Sequence, residues 1–313
     1  MEKAQEIIKQ INQVIFGKEK EILEMMLAFL ANGHILLEDI PGVGKTTLAL
    51  AFSKAMRLDY KRVQFTPDVV PSDLTGFSIY RREEERFVYQ KGSVFCNLLL
   101  ADEINRTSPK TQAALLEVME ERQVTVEGET RSVPTPFLVI ATQNPYGSAG
   151  TQPLPEAQMD RFMIRISIGY PDFESEVVMA KSIGITERIK EIQPIEDGKW
   201  LEQMQKNVQE VYIKDEVYRY LVELVAATRQ HRYLERGGSP RATIALVKMA
   251  RAAAWIQGRS FVTPADIADQ FPYVIQHRMV RNIAARTEKI TKEQIIKEIV
   301  RQIKKPPLWE KVR

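Results

Sequence analysis

The stretch from Ile35 to Ala49 constrains this chain most. Three apolar residues, Ile35-Leu36-Leu37, lead into Glu38-Asp39-Ile40-Pro41-Gly42-Val43-Gly44-Lys45-Thr46-Thr47, and a helical pattern follows from Leu48. A buried strand that passes through a glycine-rich turn into a helix is the opening of a parallel α/β unit. Gly42 and Gly44 let backbone N–H groups turn inward around phosphate oxygens, and the helix N-terminus adds positive dipole. In this pattern Lys45 reaches the β/γ-phosphates, the Thr46 hydroxyl holds Mg²⁺, and Pro41, Val43 and Thr47 complete the cradle. The strict pattern has Gly six positions before the lysine, where this chain has Asp39, itself a turn-tolerant residue. A strand-to-helix turn without a ligand is the plain alternative.

A second signal lies on a later strand. Phe95 to Ala101 is apolar, broken only by Asn97, and ends in Asp102-Glu103. The run predicts a buried parallel strand. A carboxylate at its end can hold the water shell of Mg²⁺, and a second can orient and deprotonate an attacking water. Asp102 is assigned to the metal and Glu103 to the water; capping of the next helix is the alternative. Pro136 to Thr142 predicts another buried strand, ending at Gln143-Asn144-Pro145. Asn144 could stand between the carboxylate pair and a γ-phosphate, or could simply make the turn before Pro145.

Two arginines complete the candidates. Arg161 precedes a last strand, Ile164 to Ile168, on a surface from which an arginine can neutralise γ-phosphate charge in a neighbouring subunit. An ion pair with Asp160 is its alternative role, and Arg165 is the other candidate for the same task. Arg241 follows Ser239-Pro240 at a helix start, so it faces the phosphate tail if the second domain folds over the nucleotide, and forms a salt bridge otherwise.

Strands alternate with helices over residues 1 to about 170, which predicts a parallel sheet wrapped in helices. Two hairpins interrupt it. One pairs Gly76–Tyr80 with Arg86–Gln90 around a charged tip, and the other pairs Gln123–Val126 with Thr130–Val133. Thr66 to Asp73 and the Gly/Pro-rich Tyr146 to Pro155 read as loops. No strand signal survives after Ile168. Helical patterns cover Glu216–Gln230, a segment from Ser239-Pro240, a short one from Thr263-Pro264, and one opened by a Thr291/Gln294 capping box. The expectation is an α/β domain over 1–190 and an all-helical domain over 191–313, with Ile185 to Lys199 as linker.

Composition narrows the functional classes. A net charge of +3 argues against nucleic acid or a membrane surface as the partner. The single cysteine, Cys96, excludes an internal disulfide and fits a reducing compartment. His34, His231 and His277 are far apart with no Cys/His ligand spacing, so no zinc site is expected. No apolar run reaches the length of a membrane span and no secretory h-region opens the chain, so a cytoplasmic protein is expected.

Taken together, Glu38–Thr46, Gln64-Phe65-Thr66-Pro67-Asp68, Asp102-Glu103-Ile104-Asn105-Arg106, Ala141–Pro145, Leu154–Phe162 and Ser239-Pro240-Arg241-Ala242 resemble an AAA+ ATPase, and within that class the MoxR family. The resemblance implies Walker A and Walker B roles for the phosphate loop and for Asp102-Glu103. It implies sensor 1 at Asn144, the arginine finger at Arg161 and sensor 2 at Arg241. Val14-Ile15-Phe16-Gly17 looks like the linker that contacts adenine. Gln64 looks like the polar switch that restrains Glu103 until a partner binds. The Leu74–Gly92 hairpin resembles the helix-2 insert, and Gln123–Val133 the hairpin before sensor 1. By the same resemblance the protein is a Mg²⁺-dependent ATP hydrolase that forms a ring, usually a hexamer. It would remodel a protein client, in metal-centre insertion or complex maturation, alongside a protein with a von Willebrand factor A domain. Two other classes stay open: a DNA-acting AAA+ motor or loader, and a nucleotide-gated scaffold with little turnover.

Overall fold

The computed structural model describes residues 1–39, 42–144, 154–181 and 185–307. The expectations for Pro41 and for residues 145–153 of the Gly/Pro-rich loop lie outside the described residues. Helices α1 (Glu2–Val14) and α2 (Glu19–Leu30) precede β1 (Ile35–Glu38), and α3 (Lys45–Ala55) leads to β2 (Tyr60–Gln64). A short α4 (Pro71–Thr75) opens the hairpin of β3 (Gly76–Arg81) and β4 (Arg86–Lys91). Then come β5 (Leu98–Asp102), α5 (Pro109–Glu121), the hairpin of β6 (Gln123–Val126) and β7 (Glu129–Ser132), β8 (Leu138–Gln143), α6 (Glu156–Met159) and β9 (Ile164–Ile166).

Five strands form one parallel sheet in the order β2-β5-β8-β1-β9. Side chains alternate across it, as the period of a strand requires. Ile35, Leu37, Leu98, Leu100, Leu138 and Ile140 face a core shared with α1, α2 and α3. Leu36, Leu99, Ala101, Val139 and Ala141 face a second core shared with α5. Burial on both faces is why these strands read as unbroken apolar runs. Register aligns Glu38 with Gln143, and Gln64 with Asp102, so the polar strand ends form one edge. Sheets of this kind bind ligands outside that carboxyl edge.

Several expectations change. β5 begins at Leu98, with Phe95 to Asn97 in a bend ahead of it. Asn97 is a tether at the strand's start: Nδ2 donates to Pro136 O at 2.9 Å and Oδ1 accepts from Asp59 N at 3.2 Å. The 66–73 loop ends early because α4 starts at Pro71. The supposed linker is helical in part, with α7 (Phe173–Lys181), α8 (Ile185–Glu191) and α9 (Gly198–Gln209) filling the span after β9. Ile189 and Ile192 anchor that span in the core.

The remaining segment is α10 (Asp215–Gln230), β10 (Leu234–Arg236), α11 (Pro240–Ile256), α12 (Pro264–Ile275), β11 (Val280–Arg281), α13 (Ile283–Thr287) and α14 (Lys292–Gln302). This lid is helical, yet it also contains the small antiparallel ribbon β10-β11, against the expectation of no strand after Ile168. Strands that short show no alternation to read. The lid docks where β9 begins. Arg278 donates through Nε to Asp160 Oδ1 at 2.7 Å and through Nη2 to Phe162 O at 2.6 Å, and Ser239 Oγ donates to Asp160 Oδ2 at 2.7 Å.

Candidate functional site

The turn after β1 has the backbone its glycines imply. Gly42 and Gly44 stand at φ +88° and +89°, in the left-handed region that favours glycine, and a Cβ on either would meet open space. Gly44 is the N-cap of α3, so the orphan N–H groups of that helix point at the turn. Lys45 Nζ donates to Asp39 O at 2.9 Å. Burial pulls the Lys45 ammonium below its ordinary value, and the carboxylates of Asp102, Asp39 and Glu103 oppose that pull.

Beside the turn lies a cavity of about 400 Å³, a volume suited to a nucleoside. The structure brings Ile15, Phe16, Gly42, Val43, Gly44 and Thr47 to its walls. Gly17 stands behind Phe16 at φ +66°, against Asp172 and Ser175. The opposite wall, Tyr170, Pro171 and Met179, was not singled out in the sequence. Its signal is the Gly169-Tyr170-Pro171 turn, which follows the last strand at the same carboxyl edge. Lys18 holds this wall by donating to Ile168 O at 2.6 Å and Tyr170 O at 2.8 Å.

Asp102 and Glu103 stand one strand beyond β8. Thr142 Oγ1 donates to Asp102 Oδ1 at 2.6 Å and accepts from Glu103 N at 2.8 Å. That second bond holds Glu103 at φ +57°, a left-handed conformation uncommon for a non-glycine residue. Gln64 Nε2 donates to Glu103 Oε2 at 3.0 Å, and Arg106 Nη1 does so at 2.8 Å. Asn144 follows Gln143 at the end of β8, and its carbonyl accepts from Asn105 Nδ2 at 3.4 Å. The residues present fit Mg²⁺, which takes few protein ligands and keeps several waters: one hydroxyl, Thr46, and one carboxylate, Asp102. Among the described residues no His/Cys/Asp/Glu cluster suits a metal held by protein ligands alone.

The arginines lie elsewhere. Arg161 pairs with Glu120 Oε2 at 2.8 Å and donates to Leu116 O at 2.9 Å, whereas Asp160 belongs to Arg278. Arg241 pairs with the other oxygen of Glu120. Both border a cavity of about 360 Å³ together with Gly33, His34 and Lys248. Gly33 and His34 precede β1, so this cavity sits at the opposite end of that strand from Gly42 and Gly44. The expectation that Arg241 turns to the chain's own phosphate tail is therefore corrected: the lid docks it beside Arg161. Arg165 is bound within the sheet edge, to Glu38 Oε2 at 2.5 Å and Gln276 Oε1 at 3.3 Å.

A Gly-rich turn, a nucleoside-sized cavity and paired carboxylates on one edge of this sheet define a P-loop nucleotide-binding protein. Residues 34–164 match the ATPase family associated with various cellular activities (AAA), and 226–299 match the AAA lid domain. The chain is 38% identical to Chaperone MoxR1 of Mycobacterium tuberculosis over 96% of its own length and 81% of that protein. It is 45% identical to the uncharacterized protein YeaC of Bacillus subtilis, over 98% of this chain and 96% of that one. A crystal structure of a candidate ATPase from Cytophaga hutchinsonii superposes with a TM-score of 0.89 at 38% identity, covering 98% and 96% of the two chains. The chain belongs to the MoxR family of AAA+ ATPases.

Proposed function

We propose that this protein is a Mg²⁺-dependent ATP hydrolase, converting ATP and water to ADP and phosphate, whose active sites are completed between subunits of a ring. One observation carries the reading: the phosphate turn and paired carboxylates lie at one end of β1, and Arg161 with Arg241 at the other. An arginine so placed acts on a neighbour's nucleotide. Gly42 to Thr47 hold the phosphates, and Ile15, Phe16 and Gly17 border the base. Mg²⁺, held by Thr46 and Asp102, would bridge β- and γ-phosphate oxygens and offset their charge. Glu103 takes the proton of the attacking water, Lys45 and Asn144 face the γ-phosphate, and Arg161 and Arg241 reach it from the adjacent subunit.

The domain division is residues 1–190 for nucleotide and 191–313 for the lid. The oligomer is a hexamer, as the family resemblance implies, acting in the cytoplasm on a protein client in metal-centre insertion or complex maturation, beside a partner with a von Willebrand factor A domain. A chaperone among the relatives supports this reading. Among the described residues no helix is long and apolar enough to cross a membrane. The hold of Gln64 and Arg106 on Glu103 also favours low turnover until a partner acts.

Complementation tests the reading. Glu103→Gln and Arg161→Ala should each bind ATP yet hydrolyse it at less than about a hundredth of the native rate. Mixing them should restore turnover, because an intact Glu103 in one subunit meets an intact Arg161 from the next. Turnover by Glu103→Gln alone would remove that residue as the base, and no recovery on mixing would refute the shared site.

A further inference from the structure

Arg62 belongs to none of the motifs above, yet it touches the machinery at two points. From β2 its Nη2 donates to Asp102 Oδ2 at 2.7 Å and to Gln64 Oε1 at 3.1 Å, and its Nε reaches the same Asp102 oxygen at 3.2 Å. Gln64 in turn holds Glu103. One guanidinium therefore joins the carboxylate assigned to the metal and the one assigned to the water. We propose that Arg62 is a positioning residue that couples metal loading at Asp102 to release of Glu103.

The argument rests on the ATP-hydrolase reading and on charge. Thr142 occupies Asp102 Oδ1, so Oδ2 is the oxygen left to face a cation's water shell, and Arg62 already holds it. A guanidinium keeps its charge at every working pH, so a divalent cation arriving beside it meets fixed repulsion. Arg62 can yield: β2 is an edge strand and the side chain is 46% exposed. When Nη2 swings into solvent it leaves both acceptors together. The Gln64 amide then loses the donor that fixes its oxygen, and its grip on Glu103 loses that support. Arg106 remains as an independent hold on Glu103. In the resting chain Arg62 thus neutralises Asp102 and keeps the base restrained, and metal entry undoes both.

The test is a Mg²⁺ titration of the binding of a fluorescent ATP analogue to the full chain, for the native protein, Arg62→Ala and Arg62→Lys. Removing the charge should lower the Mg²⁺ midpoint about tenfold, while Arg62→Lys, which keeps it, should stay near the native midpoint. The Gln64 bridge is read separately: Arg62→Ala should raise turnover without a partner severalfold, and adding Gln64→Ala should raise it no further. A native midpoint in Arg62→Ala, or additive effects of the two substitutions on turnover, would overturn the proposal while leaving the hydrolase reading intact. Absence of Mg²⁺-dependent nucleotide binding in the native protein would overturn both.

Discussion

Asp39 stands where the phosphate-loop pattern has glycine, and its contacts give the exchange a reason. Its Oδ2 accepts from Gly169 N at 2.6 Å and from Ser167 Oγ at 3.2 Å, while its carbonyl receives Lys45. One side chain thus ties the start of the turn to the segment after β9 that carries Tyr170. Asp39→Ala deletes hydrogen bonds to a charged acceptor, worth about 1.5–3 kcal/mol each, and frees one wall of the nucleoside cavity. Nucleotide affinity should fall about tenfold or more, with saturated turnover close to native, when equilibrium binding is compared with steady-state rate. Unchanged affinity would show that the tie does not shape the cavity. In the sequence Asp39 reads only as a departure from a motif, because its partners lie on the far side of the sheet. The glycines, Lys45 and the Asp102-Glu103 pair are legible there, since each depends on its own strand end alone.

At the scale of elements, the two hairpins are joined to each other. Ser78 Oγ donates to Glu127 Oε2 at 2.6 Å, and the Arg131 guanidinium lies 3.9 Å from the centroid of the Tyr89 ring. β3–β4 carries the outlying aromatic pair Tyr80 and Phe87, ring centroids 5.3 Å apart, with Phe87 70% exposed. β6–β7 follows α5, which is separated from Glu103 only by the short turn Ile104–Arg106 and its N-cap. Arg131→Ala removes a cation–π contact of about 0.5–1 kcal/mol. Amide hydrogen exchange should then quicken in both hairpins; exchange confined to β6–β7 would mean they move independently. Both hairpins are legible in the sequence because turn residues fall between alternating runs. Helices α7 to α9 are not, because Ile189, Ile192 and Leu201 bury their apolar faces against α1, α2 and α3, partners remote in the chain.

Across the whole molecule, buried titratable groups set how stability follows pH. The N–H of Val139 donates to His34 Nδ1 at 3.0 Å, so Nε2 carries the hydrogen and donates to Met119 O at 3.1 Å. Burial pushes His34 down to about 3 and His277 well below its ordinary value. Below pH 6.5 the unfolded chain therefore takes up protons that the folded chain refuses, and each histidine lowers stability on acidification by up to about 1.4 kcal/mol per pH unit. Glu24 works in the opposite direction. Burial raises its carboxyl from 4.5 to about 7, so between those values the folded chain keeps a proton that the unfolded chain releases. From pH 6.5 to 4.5 the net slope should be that of one proton, about 1.4 kcal/mol lost per unit of acidification. Glu24→Gln should roughly double that slope and stabilise the protein at pH 8 by about 1–3 kcal/mol, as read by urea unfolding at both ends of the range. An unchanged slope would mean that Glu24 is ionised throughout. The two-part division of the chain is legible in the switch from strand to helix periodicity, but the seat of the lid is not, since it rests on single polar residues. Asp160 and Arg161 are neighbours in the chain, and the lid grips both: Arg278, its side chain 3% exposed, and Ser239 hold the first, while Arg241 meets the second at Glu120. Removing one member of such a buried ion pair costs about 3–5 kcal/mol, so a swing of the lid does not leave Arg161 behind. The two guanidiniums behave as prongs of one fork whose gap is set by how the lid is seated, and an anion approaching that face is gauged for width as well as for charge.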